Sequence, residues 1–118
     1  MPENNNFKKQ KTFEERLEES NRIKESFPEK IPIILVLDNK ILNINKVKYL
    51  IPSIFNMIQL QKCIRNFVKV KSHEAIFLFI NNKLIPNTTM LSEVYETHKD
   101  PDGFLYINVA LESTFGYI

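Results

Sequence analysis

The sequence predicts an α+β fold: a four-stranded mixed sheet crossed by one helix, with a helical extension in front. Three observations lead there. Short apolar runs rich in β-branched and aromatic residues, at 31–37, 75–80 and 104–111, are bounded by turn residues. Between the first two, Met57, Leu60, Ile64 and Phe67 recur at helical spacing. Ahead of all of them, Thr12-Phe13-Glu14-Glu15 has the form of a capping box, with Thr12 as the N-cap and Glu15 reaching back.

Each element follows in order. The first helix runs from Thr12 to near Phe27-Pro28, where proline stops it. Phe13, Leu17 and Ile23 share one face and are expected inward, since the opposite face is rich in Glu and Arg. Ile31–Leu37 reads as a strand with Pro32 near its start, a tolerated position. Asp38-Asn39-Lys40 is turn-like, and Val47–Ile51 is a second strand. The Asn and Lys residues around it, and the following Pro52, mark an edge. Ser53 is the expected cap of a helix reaching about Val68. Ala75–Ile80 is apolar on both alternations, the pattern of a central strand covered on two sides. Asn81-Asn82 turns the chain. Thr88 or Thr89 then opens a short helix with Met90, Leu91, Val94 and Tyr95 inward. Asp100-Pro101-Asp102-Gly103 is a turn, and Phe104–Leu111 is the last strand.

A hairpin, a crossing helix and a last strand returning to the middle make a β-grasp, the ubiquitin-like layout. A ferredoxin-like arrangement would want an opening strand before its first helix. The expected organisation is a helical extension at 1–28, the ubiquitin-like domain at 29–111 and a flexible tail at 112–118.

Composition narrows the classes. With 118 residues, the chain has the size of one domain with an adequate core. The single cysteine, Cys63, excludes a disulfide framework and any multi-cysteine metal site. No apolar run approaches the roughly 20 residues of a membrane helix. The polar start, Met1-Pro2-Glu3-Asn4-Asn5-Asn6, is read as no signal peptide. Only two glycines occur, where average usage would give roughly eight, which argues against Gly-rich phosphate loops. Residues 1–30 carry seven basic and seven acidic side chains, whereas residues 40–73 carry seven basic ones and no acid. That stretch is either a solvated face or a surface for acidic partners.

No nucleophile, base and acid come together in the sequence, so the chain is read as no enzyme. His73 and His98 are isolated, and Cys63 lies mid-helix among apolar neighbours as a small hydrophobe. No cofactor and no metal are implied. Two features remain. The tail ends near Phe115-Gly116, and glycine lets a narrow enzyme channel close around its carbonyl. The edge strand at 47–51 offers backbone groups to a partner peptide, while Lys46 and Lys48 also guard it against aggregation.

Several motifs in order carry a resemblance. Phe13-Glu14-x-Arg16, Ile23-x4-Pro28-x3-Pro32, Lys48-Tyr49-Leu50-Ile51-Pro52, Phe77-x-Phe79-Ile80-Asn81-Asn82, Leu105-Tyr106 and Thr114-Phe115-Gly116 resemble the autophagy ubiquitin-like modifier family over residues 7–116. The resemblance implies a precursor that a cysteine protease cuts between Gly116 and Tyr117. An E1-like enzyme would then activate the Gly116 carboxylate, and an E2-like enzyme would pass it to phosphatidylethanolamine. The chain is expected in the cytoplasm, becoming membrane-associated on an autophagosome or related vesicle after lipidation. It is expected to act as a monomer.

The resemblance also implies docking of short aromatic-x-x-aliphatic peptides of cargo receptors and adaptors, often with acids in front. An aromatic pocket would be lined by Glu19, Ile23, Pro32, Ile34, Lys48, Leu50 and Phe104. An aliphatic pocket would be lined by Tyr49, Ile51, Pro52, Phe55, Leu60 and Cys63. Lys30, Lys46, Lys48 and Arg65 would supply basic contacts. Leu60, Cys63, Phe55 and Phe67 depart from the family's usual residues and bear on the aliphatic pocket and its peptide preference. The other readings are a non-conjugated peptide-binding adaptor and a modifier attached to proteins. Nucleic-acid binding ranks last, because only Tyr49 and Phe67 stand near the basic stretch as aromatic platforms.

Overall fold

The computed structural model describes residues 6–38, 41–43 and 46–112. Two helices, α1 (Asn6–Gln10) and α2 (Phe13–Ser26), precede β1 (Lys30–Leu37), β2 (Leu42–Asn43) and β3 (Lys48–Pro52). Then come α3 (Met57–Phe67), β4 (Val68–Lys69), β5 (Ile76–Ile80), β6 (Lys83–Leu84), α4 (Leu91–His98) and β7 (Leu105–Leu111). The main sheet has the order β3-β1-β7-β5-β6, and β2 pairs with β4 in a small second sheet. β1 and β7 are parallel and every other pair in the main sheet is antiparallel, which is the mixed sheet of a β-grasp. The two-residue β6 adds a fifth strand to the expected four. It follows a two-residue hairpin turn at Asn81 and Asn82, whose φ values of 51° and 63° suit asparagine.

The Thr12 capping box forms as expected, with Glu15 N–H donating to Thr12 Oγ1 at 3.1 Å and Thr12 N–H to Glu15 Oε1 at 2.8 Å. The buried face of α2 differs from the expected one. Arg16, Glu19 and Ser20 are buried, whereas Phe13 is 41% exposed and Leu17 and Ile23 are half-buried. The reason is the surface beneath. It offers the Asp102 carboxylate, the Asp102 carbonyl and the Lys48 ammonium, so polar residues are the complementary ones.

Two other caps also move. The N-cap of α3 is Asn56, in a capping box with Gln59, because Ser53 donates its N–H to Glu29 O and continues the β1–β3 ladder. Met90 caps α4, in extended backbone bridged to Asn56, and is itself exposed. β7 occupies the middle of the sheet, as expected, and β5 is interior between β7 and β6. β5 buries Ile76, Leu78 and Ile80 on one face and leaves Phe77 and Phe79 half-buried on the other.

The larger core lies between the sheet and α3, with Ile33, Leu60, Ile64, Ile80, Leu105 and Ile107 all at most 1% exposed. A smaller cluster lies on the opposite face, where α1 brings Phe7 against Phe104 in an edge-to-face contact with centroids 5.1 Å apart, beside Ile34. The sheet thus has an apolar layer on each side, and β3 ends it between them.

Candidate functional site

Among the described residues, β3 has a partner on one side only within the main sheet, and its outer edge is open there. The ladder with β1 determines which groups face outward. Leu35 N–H donates to Val47 O at 2.8 Å, and Ser53 N–H donates to Glu29 O at 2.9 Å. Hydrogen-bonded and non-hydrogen-bonded pairs alternate along an antiparallel ladder. Tyr49 opposite Ile33 and Ile51 opposite Ile31 therefore bond inward to β1, and the backbone N–H and C=O of Lys48 and Leu50 turn to the open edge. Pro52 has no N–H to offer and ends the usable edge.

Side chains alternate across the same strand. Lys48 and Leu50 share the α2 face with Ile34 and Pro32, their partners on β1. There a depression is lined by Glu19, Ile23, Lys46, Lys48 and Leu50, all expected site residues, together with Tyr49, Arg22, Ser26 and Phe27. Pro32, Ile34 and Phe104 are buried, and Phe104 is 0% exposed in contact with Phe7. They form the layer under the depression rather than its lining.

Tyr49 and Ile51 face α3. Tyr49, Phe55 and Cys63 are half-buried against the larger core, Pro52 is half-buried, and Ile51 and Leu60 lie within it. Phe67 stacks on Tyr49 with ring centroids 4.0 Å apart and planes 2° apart. Lys30 is half-buried at the start of β1, opposite Pro52. Arg65 stands apart from this edge: it donates to Glu74 O at 2.7 Å and Lys71 O at 3.2 Å, holding the loop after β4. Gly116, Tyr117 and Lys40 lie outside the described residues.

The electrostatics centre on Glu19. Its carboxylate pairs with Lys48 Nζ through one oxygen and with Lys11 Nζ at 2.8 Å through the other. Burial alone would raise its pKa, but the two ammonium partners outweigh that and hold it below the ordinary carboxylate range. Burial raises the Tyr49 phenol. The Lys46 ammonium lies 5.2 Å from the Tyr49 ring centroid, and the Tyr49 hydroxyl donates to Lys46 O at 3.2 Å.

Sequence reasoning missed Arg22, Ser26 and Phe27 as neighbours of this edge. A signal existed for all three. Glu19, Arg22, Ile23 and Ser26 follow the i, i+3, i+4, i+7 spacing of one helix face, and Phe27 is the next residue.

A β-grasp with β3 at the edge of its mixed sheet, preceded by two helices, defines a ubiquitin-like domain. Residues 15–116 match the family model described as "Autophagy protein Atg8 ubiquitin like", and the chain belongs to that family. It is 44% identical over 112 residues to Autophagy-related protein 8e of Arabidopsis thaliana, spanning 93% of this chain and 92% of that one. It is 43% identical over 114 residues to Autophagy-related protein 8 of Schizosaccharomyces pombe, spanning 95% and 94%. The crystal structure of Trypanosoma brucei ATG8 superposes with a TM-score of 0.84 at 29% identity, over 90% of this chain and 93% of that one. Plasmodium falciparum Atg8, solved in complex with a P. falciparum Atg3 peptide, shares the fold with a TM-score of 0.80 at 24% identity, over 93% of this chain and 96% of that one.

Proposed function

We propose that this chain is an autophagy ubiquitin-like modifier that docks short peptides along β3 and is tethered to membranes through Gly116. The observation that carries the docking half is the open edge at Lys48 and Leu50. A peptide strand added there gains backbone hydrogen bonds from the edge and side-chain contacts from the two faces. Its aromatic anchor enters the depression beside Ile23, Lys48 and Leu50, and its second anchor meets Tyr49, Pro52, Phe55 and Cys63. Acids ahead of the motif meet Lys46 and Lys48, with Lys30 at the far end of the edge. A peptide of the conjugation machinery is one class of occupant, since a protein of the same fold was solved with an Atg3 peptide.

The tethering half rests on family membership and on the residues Thr114-Phe115-Gly116-Tyr117-Ile118. A cysteine protease removes Tyr117-Ile118, and E1-like and E2-like enzymes transfer the Gly116 acyl group to phosphatidylethanolamine. Among the described residues no helix is long and apolar enough to cross a membrane, so attachment would come from the lipid. Two acyl chains anchor stably where one binds only marginally. The modifier acts without a catalytic centre of its own and moves from cytoplasm to autophagosomal membrane on conjugation.

The test of tethering is the membrane-bound fraction of wild type against Gly116→Ala in cells. Loss of both the floating fraction and the faster-migrating gel species is expected. Their persistence in the variant would refute conjugation at Gly116.

A further inference from the structure

The α3 side of the edge differs in kind from the α2 side. Of the residues expected there, Leu60 is 0% exposed and Ile51 is 4% exposed, so both lie below the surface. What remains half-exposed is Tyr49, Pro52, Phe55 and Cys63, with Phe67 beside Tyr49. Cys63 and Phe67 are one turn apart on α3 and so share a flank of that helix. The near-parallel stack of Phe67 on Tyr49 places this flank against β3. The surface is therefore floored by buried Leu60 and Ile51 and is largely aromatic, with the polarizable Cys63 thiol on the same flank of α3 as Phe67.

We propose that Phe67 is a specificity-determining residue for peptides docked on β3, and that it makes the second anchor of the preferred partner aromatic rather than branched aliphatic. This rests on the docking reading given above. A branched aliphatic side chain gains most from a narrow pit that surrounds it. Here the apolar floor is closed, and a flat ring covers a largely aromatic surface more completely. Ring–ring contacts also contribute beyond the area they bury. The stack adds preorganisation: Phe67 covers one face of Tyr49, whose hydroxyl is tied to Lys46 O at 3.2 Å. Little side-chain ordering is left for the partner to impose.

The experiment uses two acidic peptides that differ only at the second anchor, aromatic-x-x-Phe and aromatic-x-x-Leu. Their affinities are measured by calorimetry on the full chain, with Lys48 and Leu50 amide exchange followed in parallel. Wild type is expected to favour the Phe peptide by about three- to tenfold, the range aromatic pairing supplies. Phe67→Leu is expected to abolish the preference and Phe67→Tyr to keep it. Equal affinities in wild type, or a preference unchanged in Phe67→Leu, overturn the proposal. If both peptides bind without protecting Lys48 and Leu50, the docking reading itself has failed, and this inference falls with it. Circular dichroism of Phe67→Leu confirms the fold, and Phe67→Tyr carries the test should that variant unfold.

Discussion

The Tyr106 hydroxyl donates a 2.5 Å hydrogen bond to Asp102 Oδ2, a carboxylate with no solvent exposure. Phe104 N–H donates to the other oxygen at 2.9 Å, and Arg16 Nε makes a charge contact at 3.4 Å from α2. Burial is the main reason the Tyr106 phenol is raised far above its ordinary range, reinforced by the carboxylate it bonds. Burial likewise raises Asp102, against the lowering effect of its hydrogen-bond donors. The network joins α2, the 100–103 turn and β7, and so holds α2 against the sheet.

Tyr106→Phe removes the hydroxyl and leaves a buried carboxylate oxygen short of a donor. A loss of about 1–3 kcal/mol is expected, the cost of an unsatisfied buried polar group. Urea denaturation at neutral pH measures it, and an unchanged midpoint would deny the network a role in stability.

Gly103 is a second point where the 100–103 turn meets α2. Its φ is +89°, and a Cβ there would lie 2.3 Å from Ser20 Oγ. Gly103→Ala therefore meets both backbone strain and a clash, and should destabilise by more than the roughly 1–2 kcal/mol of left-handed backbone alone. Adding Ser20→Ala removes the oxygen and should recover part of the loss, though not the strain. Thermal unfolding of both variants separates the two contributions, and full recovery would show that the backbone is unstrained.

Much of this fold was legible in the sequence, and the exceptions share a cause. The capping box at Thr12, the helical stripe Met57–Leu60–Ile64 and the edge position of 47–51 depend on local spacing and capping, which a sequence displays. The buried face of α2 depends on what Asp102 and Lys48 present from distant segments, so polarity misled there. The same holds for the site. The family resemblance supplied the two sets of β3 residues, but the burial of Phe104 under Phe7 and the stacking of Phe67 on Tyr49 arise from tertiary packing.

Glu19 already holds Lys48, so on the proposed docking it would compete with an acidic partner for that ammonium. Glu19→Gln releases the Lys48 ammonium from its pair, and the on-rate for an acidic peptide should rise about two- to fivefold at low salt. The gain should shrink as salt rises, because the pair is partly exposed. The same variant carries a pH signature. The folded pKa of Glu19 is depressed from 4.5, so its contribution to stability is present above that pH and is lost as pH falls through the folded value. Acid unfolding curves of Glu19→Gln should lack that component. Coincident curves would mean that the pairing adds no net stability.

Amide hydrogen exchange along β3, with and without an acidic peptide carrying two spaced apolar anchors, tests the central claim most directly. Lys48 and Leu50 turn outward from the β1 ladder, so their exchange should slow on binding. Tyr49 and Ile51, already bonded to β1, should change little. Binding that leaves Lys48 and Leu50 unprotected would contradict strand addition at this edge.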